Sequence, residues 1–249
     1  RVTFIELVRD EVLYNFVLVA SMLFGLAMVV VICRQLVGTA SGIAAAVTIF
    51  LASWWFFYIA LGNSEGMMVA LILLGLVLHR QQRYAPALVA GWAAALLRPE
   101  VWPFLGAYVI WLWWKRRVPQ GLIVGLMISI PVLWFLPELW GSGDALRASG
   151  RAQQPDVGSP ALTSTPALAT LERANAMLTW GTKILLVVAA VLAAVRRDLM
   201  LASLIGIGAA WTVLVMVMTE AGYSGNVRYL IMPMVLFTIA AAAGGEMLI

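Results

Sequence analysis

The chain has 249 residues, of which 63% are hydrophobic and 11% are charged, and its mean hydropathy is +0.96. Soluble globular proteins carry about 25% charged residues, so this composition excludes a soluble enzyme and predicts a multi-spanning membrane protein. The formal net charge of +4 is interpreted as a signal of membrane topology and not of nucleic-acid binding, because the basic residues are concentrated in alternate connections between apolar runs.

Apolar runs recur along the whole chain and predict nine membrane-spanning helices. No long linker separates two cores, so we predict an all-α fold in which a polytopic transmembrane helical bundle forms one domain over residues 1–249. The third, fourth and fifth runs are shorter than the roughly 20 residues that cross a bilayer, which predicts that neighbours shield them or that they line a cavity. In chain order the predicted spans are 12–33, 42–61, 66–79, 86–97, 101–114, 120–137, 178–195, 199–219 and 229–248.

Basic residues fall at every second connection between these spans. Eight of them, with only Asp198 beside them, lie near 34–41, 79–86, 115–119 and 196–198. Loops rich in Lys and Arg remain in the cytoplasm, so we predict that these four connections are cytoplasmic. Ten of the 12 acidic residues fall in the other connections and in the N-terminal segment, which are predicted to face outward. The sequence therefore predicts a multi-pass protein of the plasma membrane whose working face is the outer one.

The outer connections contain the residues that are hardest to place in a membrane. Arg98-Pro99-Glu100 puts two charges between apolar runs, where each ionisable side chain costs about 2.5 to 3.5 kcal/mol on insertion scales. The connection 138–177 exceeds the roughly 12 to 15 residues of a usual structureless loop. Its Ser159-Pro160 and Thr165-Pro166 pairs each place a capping hydroxyl before a proline, so we predict short helices there. The four outer connections are 62–66, 98–100, 138–177 and 220–228.

Motifs of soluble enzymes do not occur in the sequence, which has no dinucleotide-binding glycine fingerprint, no phosphate-binding Gly-Lys-Ser or Gly-Lys-Thr loop and no CxxC pair. Cys33 is the single cysteine and is predicted to be buried and inert. His79 is the single histidine, and because a metal site needs several partners we predict no function for it. Two glycine pairs, Gly38/Gly42 and Gly121/Gly125, predict close approach of helices, and a loop is the alternative for the first pair.

Three short motifs lie at the predicted outer ends of spans: Gly62-Asn63-Ser64-Glu65, Leu96-Leu97-Arg98-Pro99-Glu100-Val101-Trp102-Pro103-Phe104 and Gly225-Asn226-Val227-Arg228-Tyr229-Leu230. In this order they resemble the multi-spanning glycosyltransferases of the GT-C type, in an actinobacterial-looking form, over almost the whole chain. The resemblance implies transfer of a hexosyl or pentosyl group from a polyprenyl-phosphate donor. It also implies that the acceptor is a glycan, protein or lipid at the outer face, within the cell envelope.

The resemblance also implies roles for particular residues. A lipid phosphate requires a cation at membrane depth, and because arginine offers a planar fork for phosphate oxygens, Arg98 is the first candidate. Glu100 is predicted to orient Arg98 or to bind sugar hydroxyls, while a structural Arg–Glu pair that ties two helices stays open as the alternative. The alternative for Arg228 is anchoring at the membrane interface, and the alternative for Glu65 is helix capping. The further substrate-binding candidates are Asn63, Glu65, Glu220, Asn226, Arg228 and Tyr229.

The catalytic base is not identified by these motifs. In the family that the chain resembles, the catalytic carboxylate comes from a first outer loop that follows a first span, and this chain begins later. We therefore expect the chain to be a fragment of a longer protein. Asp10 and Glu11 are the remaining candidates, with complementation of a helix dipole as the alternative. The resemblance leaves a divalent cation open as a cofactor and implies no other.

A membrane transporter or flippase for an anionic or lipid-linked substrate is the competing class of function. In that case Arg98, Glu100 and the short spans form a pathway at the bilayer midplane. The sequence contains no pair of broken helices in matching halves, so we expect the transferase. For either class the chain contacts membrane lipid, and no nucleic acid is expected as a partner.

Overall fold

The computed structural model describes residues 11–249, with side chains from residue 15 onward. It is 82% helical, and the described residues contain no strand, so the predicted all-α fold is confirmed. Short 3₁₀ turns occupy Pro99–Val101, Pro160–Leu162 and Val227–Leu230. The α-helices are α1 (Glu11–Leu36), α2 (Thr39–Leu51), α3 (Ser53–Ala60), α4 (Glu65–Arg80), α5 (Tyr84–Leu97), α6 (Trp102–Lys115), α7 (Gln120–Ser142), α8 (Arg147–Ala152), α9 (Pro166–Met177), α10 (Trp180–Arg196), α11 (Leu199–Glu220) and α12 (Ile231–Glu246).

Each of the nine predicted spans contains a helix, but not every helix is long and apolar enough to cross a bilayer. Four helical segments of the described chain meet that condition, and there are up to six if each of two sharply bent helix pairs counts as one span. The chain thus has the helices of a membrane-embedded protein, and the nine-span topology stays a prediction. The four segments are Asn15–Leu36, Gln120–Ser142, Leu199–Glu220 and Val227–Glu246.

The predicted span 42–61 is broken in the structure, and α9 and α10 form a second pair that is bent by 101°. Broken helices, which the sequence did not indicate, are therefore present in both halves of the described chain. The two parts of the span 42–61, α2 and α3, meet at an angle of 61°, because Ala52 has the extended backbone angles φ −71° and ψ 122°. Two contacts hold α3 in this orientation: Trp55 is fully buried, and Trp54 Nε1 donates to the carbonyl oxygen of Met177 at 3.0 Å. The bend therefore depends on distant parts of the chain, and no proline or glycine marks it.

Helix α12 lies at the centre of the bundle, where it packs against α2, α10 and α11. Of the span that contains it, 78% is buried, against 11% for α7 at the periphery. Gly42 lets α2 approach α1, because a Cβ there would lie 2.9 Å from the Val30 backbone. This confirms the close approach that was predicted at Gly42. The prediction for Gly121 and Gly125 is wrong, because a Cβ at either position would meet nothing within 4 Å.

The four basic connections meet at one end of the bundle. Arg80 Nη2 donates to the carbonyl oxygen of Gln35 at 2.8 Å, and the Arg117 guanidinium lies 5.3 Å from the centre of the Tyr84 ring. At the same end, the backbone N–H of Ser41 donates to Glu246 at 2.9 Å, and Arg196 donates to the carbonyl of Met247 at 3.2 Å. Helix α4 runs from this end to Glu65 at the other, about 24 Å away at 1.5 Å per residue.

The predicted short helices of the connection 138–177 are present as α8, the Pro160–Leu162 turn and α9. Ser159 caps as expected, because its hydroxyl accepts from the N–H of Ala161 at 3.4 Å. The predicted cap at Thr165 is wrong, since its hydroxyl makes no capping hydrogen bond. Glu220 takes that role from the end of α11, accepting from the N–H of Ala167 at 3.1 Å.

Candidate functional site

The candidate site is built on the break between α5 and α6. Pro99 has no N–H, so the carbonyl of Ala95, four residues earlier, lacks its helical donor. Two indoles supply the missing donors: Trp102 Nε1 lies 2.9 Å and Trp134 Nε1 lies 3.2 Å from that oxygen. The carbonyl that Pro99 leaves without a helical donor is thus satisfied by other side chains of the protein, as expected for a membrane helix. The two hydrogen bonds connect α6 and α7 to the break.

Arg98 lies at this break and forms a buried ion pair with Glu65, the first residue of α4. The Glu65 side chain is 1% exposed and that of Arg98 is 14% exposed. The ion-pair partner of Arg98 is therefore a residue 33 positions away. Glu100, which was predicted to orient Arg98 or to bind sugar hydroxyls, lies near enough to interact with it electrostatically but forms no salt bridge with it. A guanidinium has five N–H donors and Glu65 accepts one hydrogen bond, so Arg98 retains donors for an anion.

A second guanidinium, that of Arg228, lies beside the first. It donates to Asn63 Oδ1 at 3.3 Å and to the hydroxyl of Tyr229 at 3.4 Å. The guanidinium carbons of Arg98 and Arg228 lie 5.9 Å and 5.2 Å from the centre of the Tyr229 ring, within cation–π range. Trp211 fixes the Tyr229 backbone by donating from Nε1 to its carbonyl at 3.0 Å. One tyrosine ring therefore positions both cations.

These side chains line a cavity of ≈ 550 Å³, a size typical of small-molecule sites. Helix α8 covers one side and is held by Arg147 Nε, which donates to Glu138 at 2.9 Å, and by the N–H of Ser224, which donates to the carbonyl of Ala152 at 3.2 Å. The lining residues are Arg98, Pro99, Glu100, Trp102, Trp134, Phe135, Glu138, Ala145, Leu146, Ala148, Ser149, Arg151, Ala152, Met218, Tyr223, Arg228 and Tyr229.

An apolar groove adjoins this cavity along the poorly buried helix α7. It has a volume of ≈ 350 Å³ and shares Phe135 and Ala145 with the charged cavity. Its remaining lining consists of Pro131, Val132, Leu136 and Leu139. The two cavities together form a continuous surface that is charged at one end and hydrocarbon at the other.

A much smaller void of ≈ 10 Å³ lies behind the cavity, and Glu65, Glu100 and Arg228 are among the residues that line it. Three buried polar atoms of these residues have no hydrogen-bond partner among the described residues: Glu65 Oε2, Glu100 Oε2 and Arg228 Nε. Buried polar groups are nearly always hydrogen-bonded in native proteins, so unpaired atoms at a cavity indicate a place for a ligand.

Four of the eight substrate-binding candidates line the cavity, namely Arg98, Glu100, Arg228 and Tyr229. Asn63 and Glu65 lie directly behind them as hydrogen-bond partners of the two arginines.

The remaining candidates lie elsewhere. Glu220 caps α9, and Asn226 accepts from the N–H of Arg228 at 3.1 Å and caps the 3₁₀ turn. Both therefore have structural roles, and neither lines the cavity. Asp10 lies outside the described residues, and of Glu11 only its position as the first residue of α1 is described.

Sequence reasoning missed several lining residues. Arg151 lines the cavity from α8, and no sequence signal distinguishes it from Arg147, which does not. Trp134 lies on a predicted span without a motif, and its indole is required only because of Pro99. In the described part of the chain no three His, Cys, Asp or Glu side chains are close enough to hold a metal ion, and the expectation about a divalent cation stays open.

The fold and the site define an all-helical, membrane-embedded chain with a charged cavity at the end of the bundle opposite its basic loops. Comparison with protein families, with curated proteins and with solved structures finds no match to this chain.

Proposed function

We propose that this chain is a glycosyltransferase that moves a sugar from a polyprenyl-phosphate carrier to a glycan, protein or lipid acceptor at the outer face of the plasma membrane. The observation that carries the proposal is the ≈ 550 Å³ cavity in which the guanidiniums of Arg98 and Arg228 lie beside Glu100. Guanidiniums bind phosphate oxygens through strong charge-assisted hydrogen bonds, and carboxylates bind sugar hydroxyls. The cavity therefore has groups for both parts of a phosphate-linked sugar.

The charge of the cavity supports a donor with a single phosphate. Three arginines and two glutamates line it, which leaves one net positive charge. The ion-pair partners outside the lining, Glu65 and Arg147, cancel each other. A sugar linked to a polyprenyl monophosphate carries one negative charge, whereas a diphosphate-linked sugar carries two. The net positive charge of the cavity lining therefore equals the negative charge of a monophosphate-linked donor.

The apolar groove along α7 supports a donor that is a lipid. Phe135 and Ala145 line both the groove and the charged cavity, so a headgroup bound at Arg98 can continue into a hydrocarbon chain on the surface of α7. Since 89% of the α7 span is not buried, this surface is available to the membrane interior. A water-soluble nucleotide sugar would have no use for such a groove.

The distribution of charge along the bundle supports the outer face as the place of reaction. The basic connections near 34–41, 79–86, 115–119 and 196–198 lie at the end opposite the cavity, and such loops remain cytoplasmic. In the predicted nine-span topology the connections at the cavity face outward, and each of the nine predicted segments contains a helix.

A transfer assay with purified protein in lipid nanodiscs tests the proposal. The donors are tritiated polyprenyl-phosphate mannose, glucose, galactose and arabinose, and the acceptors are the octyl glycosides of the same sugars. We expect label to move from lipid to glycoside with at least one donor. Arg98→Ala is expected to abolish transfer in a protein that still inserts and folds, whereas unchanged transfer would remove Arg98 from the site.

Because Arg98→Ala leaves Glu65 buried without its partner, a second variant separates function from folding. The double substitution Arg98→Gln with Glu65→Gln removes both charges and retains a hydrogen-bonding pair. It is expected to fold and to lack transfer. Arg80→Gln, which removes one guanidinium from the opposite end of the bundle, is the matched control and should retain the wild-type rate.

The same labelled lipids in sealed liposomes distinguish the transferase from a flippase. If the lipid crosses the bilayer in a protein-dependent manner while its sugar stays attached, the transferase proposal is wrong and the transporter is right. Release of the sugar to the acceptor without accelerated crossing supports the transferase.

A further inference from the structure

The charged cavity contains a carboxylate, that of Glu100, which forms no ion pair among the described residues. Among the described residues, Glu138 pairs with Arg147 and Glu65 pairs with Arg98. Glu100 has no cation within salt-bridge distance in the same part of the chain. Of the two glutamates in the cavity lining, Glu100 is thus the one without an ion-pair partner among the described residues, and the charges of Arg98 and Arg228 lie near it.

The environment of Glu100 is that of a reactive group. The residue is 4% exposed, it lines both the cavity and the void behind it, and its Oε2 atom has no hydrogen-bond partner among the described residues. A buried carboxylate oxygen of this kind is expected to receive a donor from a ligand. The hydroxyl of an acceptor is such a donor.

The backbone holds Glu100 in a fixed place relative to the phosphate-binding cations. It is the middle residue of the 3₁₀ turn Pro99–Val101, in which the φ angle of Pro99 is restricted by its ring. Arg98 precedes this turn directly, and the Arg228 guanidinium lies against the same Tyr229 ring as that of Arg98. A carboxylate and two guanidiniums therefore meet in one cavity without loop movement.

We propose that Glu100 is the general base of sugar transfer, an assignment that rests on the proposed function. The acceptor hydroxyl gives its proton to the Glu100 carboxylate as its oxygen forms a bond to the anomeric carbon of the donor. The bond between that carbon and the phosphate oxygen breaks, and its electron pair leaves with the polyprenyl phosphate. Arg98 and Arg228 balance the added negative charge, and the proton on Glu100 returns to solvent through the cavity.

The other carboxylates near the site are less suited to this step. Glu65 is committed to Arg98 and lines the small void but not the cavity. Glu138 lies at the rim and is held by Arg147, which is 50% exposed. Glu11 begins α1 ten residues before Ser21, about 15 Å along the helix, and Ser21 is at the level of Gly66 beside Glu65.

The test uses the nanodisc assay with Glu100→Gln, which keeps the size of the side chain and removes its basicity. We expect kcat to fall by about 100-fold or more, as for the loss of a general base. The Kd of the labelled donor, measured by equilibrium binding, should change by less than about threefold, because the phosphate is held by the arginines. Glu172→Gln, an exposed carboxylate on α9 that does not line the cavity, is the matched control and should transfer at the wild-type rate.

Two further readouts separate a base from a residue that only shapes the site. Formate should restore transfer to Glu100→Ala at least about tenfold by supplying a carboxylate in the space that the side chain leaves. Glu100→Asp should retain a pH-dependent rate whose acidic limb is displaced from that of the wild type, whereas Glu100→Gln should have no acidic limb.

The outcomes separate this proposal from the proposed function. If the wild type transfers sugar and Glu100→Gln does so equally well, Glu100 is not the base and the transferase assignment stands. A loss of transfer that is accompanied by loss of donor binding, or that formate does not restore, also overturns the base assignment. If the wild type transfers no sugar from any of the four donors, the proposed function fails and the base assignment fails with it.

Discussion

Replacing Trp102 and Trp134 by phenylalanine, singly and together, tests how the break after α5 is stabilised. Both indoles donate to the carbonyl of Ala95, at 2.9 Å and 3.2 Å, which is the acceptor that Pro99 leaves without a helical donor. Phenylalanine keeps an aromatic ring at each position and so preserves an edge-to-face contact, now 5.6 Å between the ring centres. It removes only the N–H donor and part of the ring.

The magnitude follows from how many donors the carbonyl retains. Each single substitution removes one hydrogen bond, worth about 0.5 to 1.5 kcal/mol of the free energy of unfolding, and leaves the other in place. The double substitution leaves the carbonyl of the fully buried Ala95 with no donor, which adds a desolvation cost of about 1 to 3 kcal/mol. The double variant should therefore be less stable than the two single effects predict, by about that added amount.

The assay is reversible unfolding in mixed detergent micelles, followed by circular dichroism, for the four members of the cycle. Trp92→Phe combined with Trp102→Phe is the matched control, because the Trp92 indole donates to Ser129 Oγ at 2.8 Å instead. That pair should be additive within about 0.5 kcal/mol. If the effects of the Trp102 and Trp134 substitutions on the free energy of unfolding are also additive, the reasoning that they share an acceptor is refuted. Pro99→Ala restores the helical N–H and should remove any coupling that is found.

Two further predictions concern packing and capping and use the same unfolding assay. Gly42→Ala should destabilise by about 1 to 3 kcal/mol, because its Cβ would lie 2.9 Å from the Val30 backbone, whereas Gly125→Ala meets nothing within 4 Å and should be neutral or stabilising by up to about 1 kcal/mol. If Gly42→Ala and Gly125→Ala changed the stability equally, the close packing of α1 on α2 would be contradicted. Glu246→Ala should cost about 1 kcal/mol, because the N–H of Ser41 in the first turn of α2 loses its acceptor, and an unchanged midpoint would show that this cap contributes nothing.

The positions of the helices could be predicted from the sequence because the signals that set them are local. The predicted span 66–79 corresponds to Glu65–Arg80, and 199–219 corresponds to Leu199–Glu220. Backbone hydrogen bonds in a helix reach only four residues, and an apolar run bounded by charge, glycine or proline specifies such a segment without reference to the rest of the chain. The bend at Ala52 has no such local signal and was missed.

The grouping of the connections 62–66, 98–100, 138–177 and 220–228 could also be predicted, because alternate connections of a membrane bundle lie on the same side. This reasoning brought Arg98, Glu100, Arg228 and Tyr229 together before their contacts were known, and all four line one cavity. It could not separate ligand-facing residues from capping residues of the same type. Glu220 belongs to the second group because α9 begins beside it, and the sequence contains no indication of that contact.

Local sequence patterns are sufficient to predict the class of fold, the helix positions and the set of charged residues from which the site is made. How those charges pair depends on tertiary packing, since the contact of α4 with α5 brings Glu65 to Arg98 across 33 positions and leaves Glu100 without a salt bridge in the described chain. Hydropathy and helix propensity act over a few neighbouring residues, whereas a buried charge takes the partner that packing brings within hydrogen-bond distance.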